Sequence, residues 1–346
     1  MQDKILDKSE VNALLERLGS EYDVYAPLRD QEGSVEWAAV DSSGDLVWDF
    51  SNTGVSPKRF LFPQTECMMR FKNRSDDPEG MIMQQEQGLQ RQQALLNIRP
   101  CDAKALQVLD SVYCRDETSN DVYWRDKREK TLYLGLACKS PCPTCFCTSV
   151  RCGPHNEEGL DVLLVDLEER LLVRPLTEKG AELVSNLADA PDEAKQQAAQ
   201  QKEEAEAAIR SQVGMENIDA RGIMELYEAP MWDQEHESCL NCGVCTYVCP
   251  TCHCFDIQDE TQGEHGRRVR NWDTCMSWLF TYHTSGHNPR GTKKDRFRQR
   301  FMHKFKYMPY KFDVIGCVGC GRCTQSCPVN IDVTEVVGKM NQQDPN

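Results

Sequence analysis

Two short stretches of the chain contain cysteines at a spacing that is typical of metal binding. "CLNCGVCTYVCP" begins at Cys239 and "CVGCGRCTQSCP" begins at Cys317, and both have the pattern C-x2-C-x2-C-x3-C-P. In bacterial two-cluster ferredoxins, this pattern provides three thiolates to one [4Fe–4S] cluster, and the fourth cysteine binds the other cluster. The repeat therefore predicts two [4Fe–4S] clusters.

The crossed pattern also predicts which cysteines act together. One cluster is assigned to Cys239, Cys242, Cys245 and Cys327, and the other to Cys317, Cys320, Cys323 and Cys249. Zinc is the competing interpretation, but structural zinc sites usually combine two separated cysteine pairs into one tetrahedron. Four-cysteine runs that each end in proline favour iron–sulfur ligation.

Further cysteines follow the first run. Cys252, Cys254 and Cys275 are too few for a four-thiolate site unless another residue joins them. Buried free cysteine is common in protein cores. Each of the three is therefore either a core thiol or an additional ligand.

A separate cysteine group lies in the first half of the chain. Cys101 follows "RP" at a predicted helix start, where the helix dipole favours a thiolate, and "ACKSPCPTCFC" adds four more cysteines. A third cluster on Cys101, Cys138, Cys145 and Cys147 is one hypothesis, with Cys142 as a weaker substitute. Structural thiols and a zinc site are the alternatives. Cys67, Cys114 and Cys152 have no partner pattern and are interpreted as structural.

Other ligand and cofactor signals are weak. His253, His283, His287 and His303 are interpreted as packing or surface residues. No G-x-G-x-x-G follows a predicted strand, and no phosphate-binding G-x-x-x-x-G-K-[ST] occurs. We therefore expect the chain itself to bind neither flavin nor nicotinamide.

Composition excludes several classes of protein. The formal net charge of −15 over 346 residues argues against nucleic-acid binding, and no apolar run is long enough to span a membrane. The acidic, amphipathic start "MQDKILDKSEVNALLERLG" is unlike a signal peptide, so a cytoplasmic protein is expected. For such a protein, metal ligation is a better explanation of 19 cysteines than a disulfide framework.

The elements that position these cysteines predict an α+β protein. Residues 1–186 are predicted as a mixed α/β domain, 187–237 as an acidic helical linker, and 238–346 as a helical ferredoxin-like domain with two [4Fe–4S] clusters. Within these regions "KRFLFP" and "LVWDF" are predicted as strands, "DVLLVDLEERLLVRPL" as a hairpin, and "NWDTCMSWLFTY" and "KKDRFRQRFMHKFKYMPY" as helices. The basic residues of the last segment either balance cluster charge or dock an acidic partner; a solvated face is the favoured interpretation for any single one.

Several motifs together resemble a known family. "RPCDAKALQVLD", "CFCTS", "CGVCTYVCPTCHCFDI", "WDTC", "GHNPR", "RQRFMHKFKY" and "GCVGCGRCTQSCPVNID" are similar to the iron–sulfur β subunit of sulfhydrogenases, the iron–sulfur subunit of anaerobic sulfite reductase and related dicluster subunits. The resemblance implies a helical domain with two [4Fe–4S] clusters. It also matches cysteines at Cys101, Cys138, Cys145, Cys147, Cys254 and Cys275, whereas Cys142 is outside the pattern.

The resemblance implies a non-catalytic electron-transfer subunit. Its expected partners are an FAD/NAD(P)-binding flavoprotein and a hydrogenase, sulfite reductase or heterodisulfide reductase module. Two alternatives remain: a self-contained reductase with a substrate-binding cluster in the first domain, and a zinc-stabilised scaffold.

Overall fold

The computed structural model describes residues 1–40, 43–73, 80–86, 88–116 and 118–342, which form two β-sheets and a set of mostly short helices. The strands are β1 (Lys4–Asp7), β2 (Tyr22–Arg29), β3 (Val35–Ala39), β4 (Thr65–Asn73), β5 (Met81–Gln85), β6 (Gln92–Ile98), β7 (Thr131–Leu136), β8 (Val162–Leu167), β9 (Arg170–Pro175), β10 (Ala188–Asp189), β11 (Phe255–Gln262) and β12 (His265–Trp272). The helices are α1 (Val11–Glu21), α2 (Pro100–Tyr113), α3 (Val122–Glu129), α4 (Glu178–Leu183), α5 (Asp192–Ala207), α6 (Glu216–Ala220), α7 (Ile223–Tyr227), α8 (Trp232–Glu235), α9 (Val244–Tyr247), α10 (Lys293–Met302), α11 (Met308–Phe312), α12 (Arg322–Gln325) and α13 (Val333–Gln342).

An eight-stranded sheet forms the centre of the first half of the chain. Its order in the described residues is β10-β1-β9-β8-β7-β6-β2-β3, with parallel pairing from β2 through β6 and β7 to β8. Parallel strands are normally buried on both faces, and β7 is buried along its whole length. Helices α2 and α3 connect β6 to β7, so the carboxyl ends of these two strands meet at one edge of the sheet.

Helices cover both faces of this sheet. On one face, α1 buries Val11, Leu14, Leu15 and Leu18 in a core shared with Leu96 of β6. On the other face, α2 and the alanines of α5 pack in a core that contains Leu95. Neighbouring residues of β6 thus point into different cores, as the alternation of side chains along a strand requires.

A second, four-stranded antiparallel sheet joins distant parts of the sequence. Its order is β11-β12-β4-β5, so residues 255–272 pair with strands from the first third of the chain. Arg270 of β12 is buried and forms ion pairs with Glu66 of β4 and with Asp121, which caps α3. Buried ion pairs hold a defined geometry because separating them leaves an uncompensated charge.

The last third of the chain is largely helical outside this hairpin. Trp232, Phe297, Phe301 and Phe305 form an aromatic core with the apolar face of α13. Residues His303–Tyr307 form a π-helical segment between α10 and α11. Such segments are rare and are often found at functional sites.

Several sequence predictions can be compared with these elements. The mixed α/β organisation and the hairpin of β8 and β9 are confirmed. The strand predicted for "KRFLFP" is wrong, because Pro57 starts a 3₁₀ helix there; the strand predicted for "LVWDF" is wrong, because only Leu46 makes a bridge. The helix predicted for "NWDTCMSWLFTY" is also wrong: its first two residues end β12, paired with β11 and β4. Among the described helices, none is both long and apolar enough to cross a bilayer.

Candidate metal centres

The first cysteine run folds as a loop around a cavity. Gly243 has a φ of 79°, in the left-handed region that glycine adopts readily, and helix α9 begins directly after it. The cavity is walled by apolar side chains such as Phe297 and Phe301. Its cysteines are Cys239, Cys242, Cys245, Cys323 and Cys327.

The second cysteine run has the same local structure. Gly321 has a φ of 74° and precedes α12, as Gly243 precedes α9. A second cavity lies beside this loop, with Phe146 and Val333 in its wall. Its cysteines are Cys249, Cys317, Cys320 and Cys323.

The two cavities bring together the two sets of four cysteines that the crossed spacing predicts. Cys327 of the second run lines the first cavity, and Cys249 of the first run lines the second. Because Cys323 lines both, the cavities are neighbours in the interior. Which atoms these thiols bind stays a prediction.

Zinc and a four-iron cube place different demands on a set of four thiols. Within the described ranges, no group of three or more His, Cys, Asp and Glu side chains is placed to hold a single metal ion. A zinc site needs its four ligands around one ion at about 2.0–2.3 Å, whereas a four-iron cube binds each thiolate through a different iron. Each cavity is lined by one predicted set of four thiols, and the first cavity also by Cys323. Four thiols are the donor set that such a cube uses.

Buried cysteines in these cavities need a positive partner in order to ionise. It raises the pKa of Cys245 to about 11 and that of Cys317 to about 12. A buried thiolate is unfavourable unless a cation or hydrogen-bond donor compensates its charge. The cationic core of an iron–sulfur cluster provides that compensation when it is bound.

Two buried cations lie beside the cavities. Lys304 Nζ lies 3.2 Å from Cys249 Sγ and donates hydrogen bonds to Thr251 Oγ1 at 2.8 Å and Gly316 O at 2.9 Å. Burial opposes its charge, but the sulfurs of Cys249 and Cys252 outweigh this effect and raise the pKa of Lys304. Arg300 lines both cavities and is also buried.

These positions correct the interpretation of the basic segment. The favoured prediction of a solvated face is wrong for Arg300 and Lys304, and Arg296, Arg298 and Lys306 are buried as well. The sequence signal for burial was present, since "RFRQRFMHKFKY" mixes basic and aromatic residues around the helix instead of separating them. Long basic side chains can bury their aliphatic stems while their charged ends find acceptors.

The cysteine group of the first half lies at the carboxyl edge of the large sheet. Cys101 follows β6 and Cys138 follows β7, and the carboxyl ends of these adjacent parallel strands meet. Cys147 lies within electrostatic range of Cys138 and Cys152, and Cys145 within range of Cys101. The structure thus brings together the four cysteines of the predicted third site, and it adds Cys142 and Cys152.

Cys142, the weaker substitute in the predicted third site, contacts another member of this group. Its Sγ lies 2.7 Å from Cys145 Sγ. The hydrogen bond from Cys145 is the largest effect on Cys142, and it lowers the pKa of this thiol. The pKa of Cys145 is raised in turn, by the same contact and by burial.

The loop that carries these cysteines packs directly on the second cavity. Phe146 N donates to Gly319 O at 2.9 Å, and a Cβ on Gly319 would lie 2.5 Å from Cys147 Cα. Asn52 Nδ2 donates to Cys320 O at 2.8 Å and lies 3.9 Å from Cys142 Sγ. The first-half group and the second cavity are therefore in direct contact.

The three additional cysteines lie near the two cavities. A hydrogen bond joins the thiols of Cys252 and Cys249 and raises the pKa of Cys252. A similar contact joins Cys254 and Cys275, and it lowers the pKa of Cys254. Whether any of the three is a ligand stays a prediction.

The remaining sequence-predicted residues lie apart from these groups or pack beside them. His253 and His303 meet edge to face with ring centroids 5.4 Å apart, and burial lowers the pKa of His253 to about 4 and of His303 to about 3. This agrees with their interpretation as packing residues. Cys67 and Cys114 have no thiol contact among the described hydrogen bonds, whereas Cys152 interacts with Cys147.

Comparison with known proteins supports an iron–sulfur protein. The model of a 4Fe–4S dicluster domain matches residues 238–331. The chain is 28% identical over 325 residues to sulfhydrogenase 2 subunit beta of Pyrococcus furiosus, with 92% of each chain covered. No solved structure matches the chain. The resemblance to sulfhydrogenase β subunits is thus confirmed, and the C-terminal third of the chain contains a 4Fe–4S dicluster domain.

Proposed function

We propose that the chain is an electron-transfer subunit of a multi-subunit oxidoreductase and relays electrons through two [4Fe–4S] clusters. The observation that carries this proposal is the pair of adjacent cavities, each lined by a complete crossed set of four cysteines. When bound, a [4Fe–4S] cluster accepts and releases one electron at a potential that its surroundings set. Cys239, Cys242, Cys245 and Cys327 would hold the first cluster, and Cys249, Cys317, Cys320 and Cys323 the second.

The protein's own contribution is to place the clusters and to compensate charge. Arg300 stands beside both cavities, and Lys304 donates toward Cys249 of the second. Both act on the ligand sulfurs from a water-poor interior, where electrostatic effects are strong. The common wall at Cys323 favours transfer between the two sites.

Exposure suggests where electrons leave or enter. Cys242 is exposed, whereas Cys249 and Cys320 of the second set are buried. Leu240 and Tyr247, on the same loop, also have large exposed apolar surfaces. A redox partner that docks on this loop would reach the first site without crossing the interior.

The first-half cysteines extend the same path. A third cluster on Cys101, Cys138, Cys145 and Cys147 would lie against the loop of Cys320. Electrons would then pass from this group to the second site and on to the first. Iron content and substitution of Cys138 test this extension independently of the two-cluster proposal.

Two observations suggest the partners: the name of the similar Pyrococcus protein, and the lack of a nucleotide-binding motif in our chain. The Pyrococcus protein is named a subunit of a sulfhydrogenase, and our chain shows no nucleotide-binding motif. We expect a flavoprotein subunit to exchange electrons with NAD(P) and a hydrogenase, sulfite reductase or heterodisulfide reductase module to complete the circuit. The additional thiols Cys252, Cys254 and Cys275 keep a self-contained reductase as the second candidate.

The test measures electron flow through the complex. The chain is purified anaerobically together with its co-purifying subunits. Reduction of the terminal module by NAD(P)H should stop in Cys242→Ala and in Cys320→Ala. The control variant Cys67→Ser, in strand β4 of the second sheet, should behave like the parent. Undiminished flow in both cluster variants would contradict the relay. Turnover by the chain alone with an artificial donor would favour the self-contained reductase instead.

A further inference from the structure

A Cys-x-x-Cys segment lies outside the two proposed cluster sites. Cys142, Pro143, Thr144 and Cys145 follow β7, close to a β-α-β unit, and this spacing is typical of redox-active dithiols in such a context. The two Sγ atoms are in direct contact, 2.7 Å apart. We propose that Cys142 and Cys145 form a redox-active pair that cycles between dithiol and disulfide by exchanging electrons with the second cluster site.

The surroundings of the pair connect it to that site. Cys142 Sγ lies 3.6 Å and Cys145 Sγ 3.7 Å from the carbonyl oxygen of Cys320, a proposed cluster ligand. Thr144 Oγ1 donates to Gly321 O at 3.2 Å, and Asn52 bridges the two loops. The pair and the ligand loop therefore form one packed unit, and this inference rests on the proposed function.

Both sulfur atoms of the pair are buried, which limits the ways in which the pair could be reduced. Cys142 is 6% exposed and Cys145 is 8% exposed. Thiol–disulfide exchange requires an attacking thiolate to reach a sulfur atom, and large soluble partners cannot reach these two. Reduction and oxidation would thus proceed by electrons passing through the Cys320 loop.

Conversion of the disulfide to two thiols requires two electrons and two protons. On reduction, the Sγ–Sγ bond breaks, two electrons arrive singly from the cluster site, two protons arrive from solvent, and two thiols form. Oxidation reverses each of these changes. A disulfide is a two-electron couple, so the pair would store two electrons beside carriers that move one at a time.

A third cluster is the competing arrangement at the same place. Cys145 belongs to the predicted third set, and a sulfur that closes a disulfide is not available to iron. Cys142 does not belong to that set, and it is the residue in closest contact with Cys145. The two arrangements therefore differ in the fate of Cys145.

The test is peptide mapping of the reconstituted full chain. The protein is poised anaerobically with redox mediators at an oxidising and at a reducing potential, quenched in acid, alkylated and digested. We expect a peptide with linked Cys142 and Cys145 after the oxidising poise, and both cysteines alkylated after the reducing poise. Glutathione alone should not reduce the pair on the same timescale.

Variants give a second, independent measurement. Cys142→Ser should retain the same iron and sulfide, lose the linked peptide and take up two fewer electrons in a coulometric titration. Cys114→Ser, a distant cysteine, should match the parent in all three. Complete alkylation of Cys142 and Cys145 in iron-replete, oxidised protein would overturn the pair, as would loss of about four irons in Cys145→Ser. Protein without acid-labile sulfide would instead overturn the proposed function and, with it, this electron route.

Discussion

Asp102 and Arg322 form a bidentate ion pair in the interior of the protein. The two nitrogen–oxygen distances are 2.6 and 2.7 Å, and each side chain is 2% exposed. Asp102 follows Cys101 in the first half, and Arg322 precedes Cys323 in the second cysteine run. The pair therefore fixes the first-half cysteine group against the loop of the second proposed cluster.

Breaking this pair should be costly. Asp102→Asn leaves the Arg322 charge buried without its partner, which typically destabilises a protein by about 3–5 kcal/mol. Thermal unfolding of the cluster-loaded protein should show the loss, together with release of iron from the second site. Glu158→Gln, which breaks the exposed pair with Lys104, is the matched control, with an expected effect below about 1 kcal/mol. Equal effects of the two variants would mean that the buried pair has no special role.

The hydrogen bond of Lys304 should raise the reduction potential of the second cluster, because it stabilises the more negative, reduced form. A hydrogen bond to a charged group contributes about 1.5–3 kcal/mol, so Lys304→Gln should lower that potential by on the order of 60–120 mV. EPR-monitored redox titration measures it. Lys311→Gln, which removes an exposed charge nearby, should shift neither cluster by more than about 20 mV. A potential that is unchanged in Lys304→Gln, with iron content intact, would remove Lys304 from the tuning of this site.

The exposure of Cys242 predicts unequal sensitivity of the two sites to oxidants. The first cluster should lose iron faster than the second when the reduced protein meets a small soluble oxidant, since Cys242 is exposed and Cys320 is buried. Cys242→Ala and Cys320→Ala should each lose about four irons, with different EPR signals remaining. If one variant lost both clusters while remaining folded by circular dichroism, the assignment of separate ligand sets would be contradicted.

Acid should destabilise the protein through His155. This side chain is buried, its Nε2 lacks a hydrogen-bond partner within the described residues, and burial lowers its pKa from 6.5 to about 4. The folded protein therefore favours neutral His155. The contribution of this residue to the free energy of unfolding is complete above pH 6.5 and is lost as the pH falls toward 4. The loss is on the order of 3 kcal/mol.

Comparison of thermal midpoints at pH 7 and pH 5 measures this effect. His155→Gln should show a smaller acid shift than the parent, whereas the exposed His283→Gln should show the parent's shift. Other buried histidines contribute in both backgrounds, so the difference between variants isolates His155. Identical shifts in His155→Gln and the parent would contradict the assignment.

The cysteine spacing predicted which thiols come together because the spacing itself builds the loops. The gaps from Cys239 to Cys249 recur from Cys317 to Cys327, each with a left-handed glycine before a one-turn helix. The crossing of Cys249 and Cys327 follows from the same repeat. The adjacency of Cys101 and Cys138 could also have been inferred, since both follow neighbouring parallel strands.

Other parts of the site depend on tertiary contacts that local patterns do not contain. Asn52 bonds Cys320, Arg322 bonds Thr53, and Arg270 of the second sheet bonds Glu66, each across more than 200 residues of sequence. The sequence predicts Lys304 and Arg300 in solvent because single basic residues usually are exposed. The strand that ends at Trp272 was missed because its pairing partners, β11 and β4, outweigh the helical pattern of its sequence.

Chemical analysis of the anaerobically reconstituted chain, combined with EPR, tests the central claim most directly. We expect at least about eight irons and a matching amount of acid-labile sulfide per chain, with signals of two reduced [4Fe–4S] clusters. A folded protein that binds zinc, or that contains iron without labile sulfide, would contradict it.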